Sequence, residues 1–120
     1  IMAFAALEAA FSHGDEWLEQ CSAYLQGNLD YVTDFFRHNI PRIKVIRPQG
    51  TYLVWLDCHG LGLGRKELRS FFIEQARVGL DDGFVFGPGG EGFQRMNIAC
   101  PRSILEEALS RIEQAVRTLG

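Results

Sequence analysis

The sequence predicts an α+β fold: a small mixed or antiparallel sheet with helices packed on one face, preceded by a long N-terminal connecting helix. Three observations predict it. Only Gly14 and Gly27 precede position 50, whereas ten glycines fall between Gly50 and Gly92, so helix is expected first and strand-and-turn structure afterwards. Apolar residues from Trp17 to Phe36 recur with a helical period. Residues 51–57 and 93–99 read as strands, each bounded by turn or breaker residues.

Each element can be justified in order. Residues 1–12 read as a short, mostly apolar helix broken at His13-Gly14. Asp15 is placed to cap a second helix, whose apolar stripe is Trp17, Leu18, Cys21, Tyr24, Leu25, Leu29, Val32, Phe35 and Phe36. Running to about Asn39, it would be about 37 Å long. That is more than a domain of this size needs for its own core, so the excess points to a connecting element. Pro41 stops it. Residues 43–47 form a strand, Pro48-Gln49-Gly50 a turn, and 51–57 a central strand apolar on both faces. A glycine-rich loop (60–64) leads to a helix from Arg65 to about Val78, with Leu68, Phe71, Phe72, Gln75 and Ala76 on one face. Extended pieces around 78–80 and 84–86 precede the glycine-rich stretch 87–92 and the strand 93–99, which Pro101 breaks. Ser103 and Glu106 have capping-box spacing. The final helix buries Leu105, Ala108, Leu109, Ile112, Ala115, Val116 and Leu119. Residues 1–40 are thus a helical connecting segment and 41–120 a small α+β domain.

Composition narrows the function classes. With 120 residues, 47% apolar and 22% charged, the chain is one globular core, not a disordered, collagenous or coiled-coil sequence. A net charge of −3 gives no footing for a nucleic-acid or anionic-membrane partner. Cys21, Cys58 and Cys100 are odd in number and lack metal-like spacing, which fits reduced thiols in a cytoplasmic protein. No apolar run approaches a membrane span. The opening Ile1-Met2-Ala3-Phe4 has no basic region, and Glu8 interrupts the apolar stretch, so no signal peptide is expected. A sequence that starts inside a helix reads as a piece of a longer protein.

The strand Phe93-Gln94-Arg95-Met96-Asn97-Ile98-Ala99 carries the best chemical signal. Its alternation puts Gln94, Met96 and Ile98 on one face and Phe93, Arg95, Asn97 and Ala99 on the other. If Met96 and Ile98 face the helices, Arg95 stands mid-strand on the opposite face, where it needs water or an anion. A rigid guanidinium there can grip a carboxylate by two parallel bonds; an ordinary solvated arginine is the alternative. The 87–92 stretch has neither the lysine nor the helix start of a phosphate cradle and reads as a flexible connection. Asp81, Asp82 and Glu91 read as solvated turn residues. His13, His38 and His59 read as helix-end or loop residues. Trp17, Phe35, Phe36, Trp55, Phe71 and Phe72 read as core or interdomain packing. Of twelve basic residues only Lys44 and Lys66 are lysines, and neither lies in a Schiff-base context.

Several segments together carry a resemblance. They are Trp17-Leu18 ahead of the long helix with Asn28 and Phe35; Pro48-Gln49-Gly50-Thr51-Tyr52-Leu53-Val54-Trp55-Leu56-Asp57; Phe86-Gly87-Pro88-Gly89-Gly90-Glu91-Gly92-Phe93; and Arg95-Met96-Asn97-Ile98-Ala99-Cys100-Pro101-Arg102. The chain resembles the C-terminal small domain of a fold-type-I pyridoxal-phosphate enzyme (class I/II aminotransferase). It looks nearest to the MalY/PatB-type cystathionine β-lyases. The resemblance implies that Arg95 grips the substrate α-carboxylate and that Tyr52 lies near the substrate pocket. It implies pyridoxal 5'-phosphate bound by a large domain not in this chain, together with the Schiff-base lysine. No catalytic, cofactor-binding or metal residue is carried over. It further implies an amino-acid substrate, the protein's own large domain as partner, a homodimeric parent, and no activity for this chain alone. A stand-alone amino-acid-binding regulatory module is the alternative reading. A pure interaction domain, suggested by the aromatic-rich first helices, is the weakest.

Overall fold

A computed structural model describes residues 1–120. Two helices come first, α1 (Met2–His13) and α2 (Asp15–Asn39). The strands β1 (Lys44–Ile46) and β2 (Leu53–Asp57) follow, then α3 (Arg65–Ser70), which continues as a π-helical turn, Phe71–Gln75. Next are β3 (Asp81–Asp82), β4 (Phe93–Asn97) and α4 (Arg102–Thr118). The sheet is wholly antiparallel in the order β1-β2-β4-β3. The α+β class, the single helical layer and the long leading helix are as the sequence predicts.

The core lies between one sheet face and the helices. Val54 and Leu56 of β2 and Met96 of β4 are buried against Val32 and Phe36 of α2, Phe71 and Phe72, and Leu109 and Ile112 of α4. The alternation read for β4 holds: Gln94 and Met96 are each 2% exposed, while Phe93, Arg95 and Asn97 face away. Burial of this shared face gives β4 a strongly specified register, because a one-residue slip would put Arg95 into the core. The π-helical turn has a packing reason. Phe71 and Phe72 are consecutive and both buried, their rings edge to face at 5.2 Å, and the wider turn lets both reach the core.

Several local expectations are corrected. Gly14, not Asp15, takes the cap position of α2, and no side chain caps it; Asp15 lies in the first turn, where its charge suits the helix dipole. The Ser103–Glu106 box does not form, because α4 begins two residues earlier than a Ser103 cap would allow, with Pro101 as its cap. The Arg102 N–H is instead donated to the Tyr24 hydroxyl at 2.7 Å, so a tertiary acceptor replaces the local one. Residues 83–86 are a 3-10 turn, not an extended piece; the strand sits at 81–82 and β4 ends at Asn97, two residues early. There the Asn97 Oδ1 accepts the Ala99 N–H at 2.8 Å and turns the chain off the ladder.

The stripe on α2 is only half used. Asn28, Leu29, Val32 and Phe36 are buried, but Trp17 is 71% exposed and Leu18 59%, and α1 buries nothing. Phe4 and Phe11 on α1 add to the same apolar surface. The chain by itself is expected to self-associate; sedimentation showing a clean monomer at high concentration would contradict this.

Asn28 is the polar exception in the core. Its Nδ2 donates to the Ile98 carbonyl at 2.9 Å and the Cys100 carbonyl at 3.1 Å, and its Oδ1 accepts the Arg102 Nε–H at 2.9 Å. The Arg102 guanidinium rests 4.6 Å from the Tyr31 ring centre. One fully buried amide therefore clamps α2 to the segment that leaves β4 and enters α4.

Candidate functional site

The open face of the sheet is where the chemistry collects. The antiparallel register sets Trp55 opposite Arg95 and Arg95 opposite Asp81, all three on that face. Trp55 meets Phe86 edge to face at 5.5 Å and Phe93 at 6.2 Å; Phe93 meets His59 at 5.1 Å. The Arg95 Cζ lies 4.2 Å from the centre of the Phe86 ring. Its Nε and Nη2 both donate to the Asp81 Oδ2, at 3.1 and 2.8 Å. The arginine side chain is 26% exposed and the aspartate 55%. Arg95 is thus held on an aromatic ledge at the surface, not buried among the helices, and it keeps a carboxylate partner from its own chain.

Beside the ledge is a cleft of about 360 Å³ lined by Ile46, Trp55, Phe86, Pro88 and Phe93. A larger cleft of about 500 Å³, between Leu80, Met96 and α4, contains neither Arg95 nor Tyr52. Tyr52 is 45% exposed and lines a third concavity with Leu25 and Gln26 of α2. Trp55 is the residue opposite Arg95, so Tyr52 stands three residues away along β2, about 10 Å. The structure does not bring Tyr52 and Arg95 into one pocket within this chain. The turn before Tyr52 holds a left-handed residue, and it is Thr51 (φ 67°) rather than Gly50. The Thr51 Oγ1 accepts the Leu53 N–H at 3.0 Å, which steadies a conformation unfavourable for a β-branched residue.

The glycine-rich stretch is a packed turn, not a loose connection. Gly83 and Gly90 lie backbone to backbone, so that a Cβ on Gly90 would fall 2.0 Å from the Gly83 oxygen. The Gly87 and Gly90 N–H groups are donated to Phe84 and Gly87 carbonyls, which leaves them unavailable to a phosphate. Asp82 is a turn former as well: its Oδ1 accepts the Phe84 N–H at 3.2 Å. Asp81 stays exposed and Asp82 shapes a turn, as the sequence suggested, and each also has a partner in the chain: Arg95 for Asp81 and the Phe84 N–H for Asp82.

Cys58, His59 and Asp57 are structural in their surroundings. Cys58 is 1% exposed, and burial, with the Asp57 charge adding, pushes its thiol up to about 12, so it is no nucleophile at neutral pH. His59 Nδ1–H donates to the Asp57 Oδ1 at 2.6 Å; a carboxylate can only accept, so the proton sits on this nitrogen. That bond holds the Asp57 carboxyl below its ordinary value against an opposing contribution from burial. Asp57 therefore contributes stability that is fully present above the ordinary carboxylate value, about pH 4, and is lost as pH falls through its lower folded value. Asp57→Asn is expected to flatten this acid limb in a series of melting temperatures from pH 6 downwards. Equal acid sensitivity of both proteins would contradict the assignment. Gly92 completes the corner, since with φ 81° its Cβ would lie 2.3 Å from the His59 ring.

Three comparisons bear on this arrangement. No protein-family model matches the chain. It is 37% identical over 114 residues to the cystathionine β-lyase PatB of Bacillus subtilis, covering 95% of this chain and 30% of PatB. It is 36% identical over 119 residues to the protein MalY of Escherichia coli, covering 99% of this chain and 30% of MalY. The crystal structure of cystalysin from Treponema denticola, which contains a pyridoxal 5'-phosphate cofactor, superposes with a TM-score of 0.95 at 36% identity, over 99% of this chain and 30% of cystalysin. The chain spans about 30% of the length of these relatives.

Proposed function

Since the chain belongs to the C-terminal portion of the pyridoxal-phosphate-dependent aminotransferases and MalY/PatB-type cystathionine β-lyases, we propose that it holds an amino-acid substrate by its α-carboxylate at Arg95. The observation that carries this reading is the placement of Arg95. It stands mid-strand on a rigid sheet, on the open face, with donors directed away from the core. The residues of this chain do not fit pyridoxal phosphate itself. In the turn that might cradle a phosphate, Gly87 and Gly90 have donated their N–H groups internally, and the Lys44 and Lys66 side chains are both exposed with no hydrogen-bond partner. The cofactor and the lysine that binds it belong to the large domain of the parent protein, and no step through the cofactor is assigned to residues here. This chain alone is accordingly inactive.

What Arg95 contributes is orientation. Two parallel charge-assisted bonds to a carboxylate fix that group in position and plane, which sets the direction of the bonds at the adjacent carbon. The same grip serves β-elimination and transamination, so the residues of this chain do not choose between them. Residues 1–40 are read as the connecting segment, with the exposed faces of α1 and α2 packing on the large domain, and 41–120 as the small domain. The parent is read as a cytoplasmic homodimer, and Tyr52 as a neighbour of the substrate pocket once the large domain is in place. Cystathionine cleavage, and transfer from an amino acid to a keto acid, should be assayed side by side in the full-length protein and its Arg95→Ala variant. Either activity is expected in the first and its loss in the second. Unaltered activity in the variant would remove the assignment.

A further inference from the structure

We propose that Asp81 is a positioning residue for Arg95: it holds the guanidinium by one edge on the Phe86 ring and leaves the other edge open for the substrate carboxylate. This rests on the substrate reading of Arg95 given above. A guanidinium offers two edges for paired bonds. The side edge is Nε–H with one Nη2–H; the end edge is the second Nη2–H with Nη1–H. In this chain the side edge is taken, and by a single atom, because Nε and Nη2 both donate to the Asp81 Oδ2. Nη1 has no partner within the chain, so the end edge is intact for a second carboxylate.

The geometry separates this role from that of a plug. A carboxylate blocking the site would occupy the end edge, or spend both its oxygens on the guanidinium. Asp81 does neither. It lies directly opposite Arg95 in the β3–β4 ladder, so its reach is set by the sheet, and its short side chain cannot follow the guanidinium outwards. Phe86 supplies the third constraint. With the ring 4.2 Å from Cζ on one side and the aspartate along one edge, the guanidinium has one plane and one direction left to it. A long, rotamer-rich side chain is thereby ordered before substrate arrives, which lowers the entropic cost of binding.

Because one oxygen makes both bonds, the amide of asparagine can replace it. The test is therefore a pair of variants in the full-length protein. Asp81→Ala is expected to raise the KM for the amino acid about tenfold with kcat within about twofold of the parent, since a charge-assisted pair that only orders the free protein acts on binding. Asp81→Asn is expected to restore most of that loss. The dissociation constant of an unreactive α-methyl amino acid, followed by cofactor absorbance, should move in parallel with KM. A KM that stays level or falls in Asp81→Ala would overturn the proposal, and a fall would identify the plug. An Asn variant as poor as Ala would overturn it too. Arg95→Ala separates the two readings. If its KM is unchanged, the substrate role of Arg95 fails; if it rises while Asp81→Ala is silent, only the positioning role fails.

Discussion

Arg95→Ala in the full-length protein is expected to raise the KM for the amino-acid substrate by about 100-fold or more and to lower kcat as well. Each charge-assisted hydrogen bond to a carboxylate contributes about 1.5–3 kcal/mol, and a bidentate grip makes two of them. The fall in kcat follows from lost orientation, because a substrate free to rotate about its carboxylate presents the wrong bond to the reacting group. Arg95→Lys should recover little, since an ammonium on a flexible stem supplies charge without the planar fork. Unfolding does not explain the expected loss. The Arg95–Asp81 pair is a surface contact with the aspartate 55% exposed, and such pairs contribute at most about 1 kcal/mol to stability. Steady-state kinetics with circular dichroism as a control check this. Native-like spectra with unchanged KM would exclude the grip.

The largest effect on stability is expected at Asn28. Asn28→Leu keeps roughly the same volume but removes the donor to the Ile98 and Cys100 carbonyls and the acceptor of the Arg102 Nε–H. Buried polar groups left without partners cost about 1–3 kcal/mol each, so the variant should lose about 3–5 kcal/mol in total. That is a large share of the stability of a domain this size. The readout is the urea midpoint at constant slope. Substituting Asp30, whose ion pair with Arg47 lies at the surface, provides the contrast and should shift the midpoint far less. Comparable shifts at the two positions would mean that the clamp is not what joins α2 to the end of β4.

The face assignment of β4 was legible in the sequence because a strand has a two-residue period and apolar residues reveal which side is buried. Met96 beneath and Arg95 above follow from that alternation. The length of α2 was legible for the same kind of reason, with Pro41 as its stop. Which half of α2 is buried was not, since Trp17 and Val32 share one apolar stripe and differ only in what stands opposite them. The caps misled for a related reason. Ser103 and Asp15 have the right chemistry locally, but the N–H group that starts α4 found the Tyr24 hydroxyl, 78 residues away in the chain. From periodicity alone, Asp81 reads only as a turn residue and Phe86 only as part of a short extended piece. Their roles depend on the β3–β4 register and on a 3-10 turn, neither of which leaves a periodic mark.

The amino-acid sequence by itself determined the α+β class, the order of the main elements, and the side of the sheet on which Arg95 emerges. Those properties rest on local periodicity and on breakers such as Pro41 and Pro101, which act within a few residues. Only the tertiary structure decided what Arg95 touches, which amide locks the long helix to the sheet, and where Tyr52 lies relative to the guanidinium. Each of those is a contact between residues distant in the chain. Its existence depends on strand register and helix packing, which hydrophobic burial of the whole core selects together and no single segment encodes.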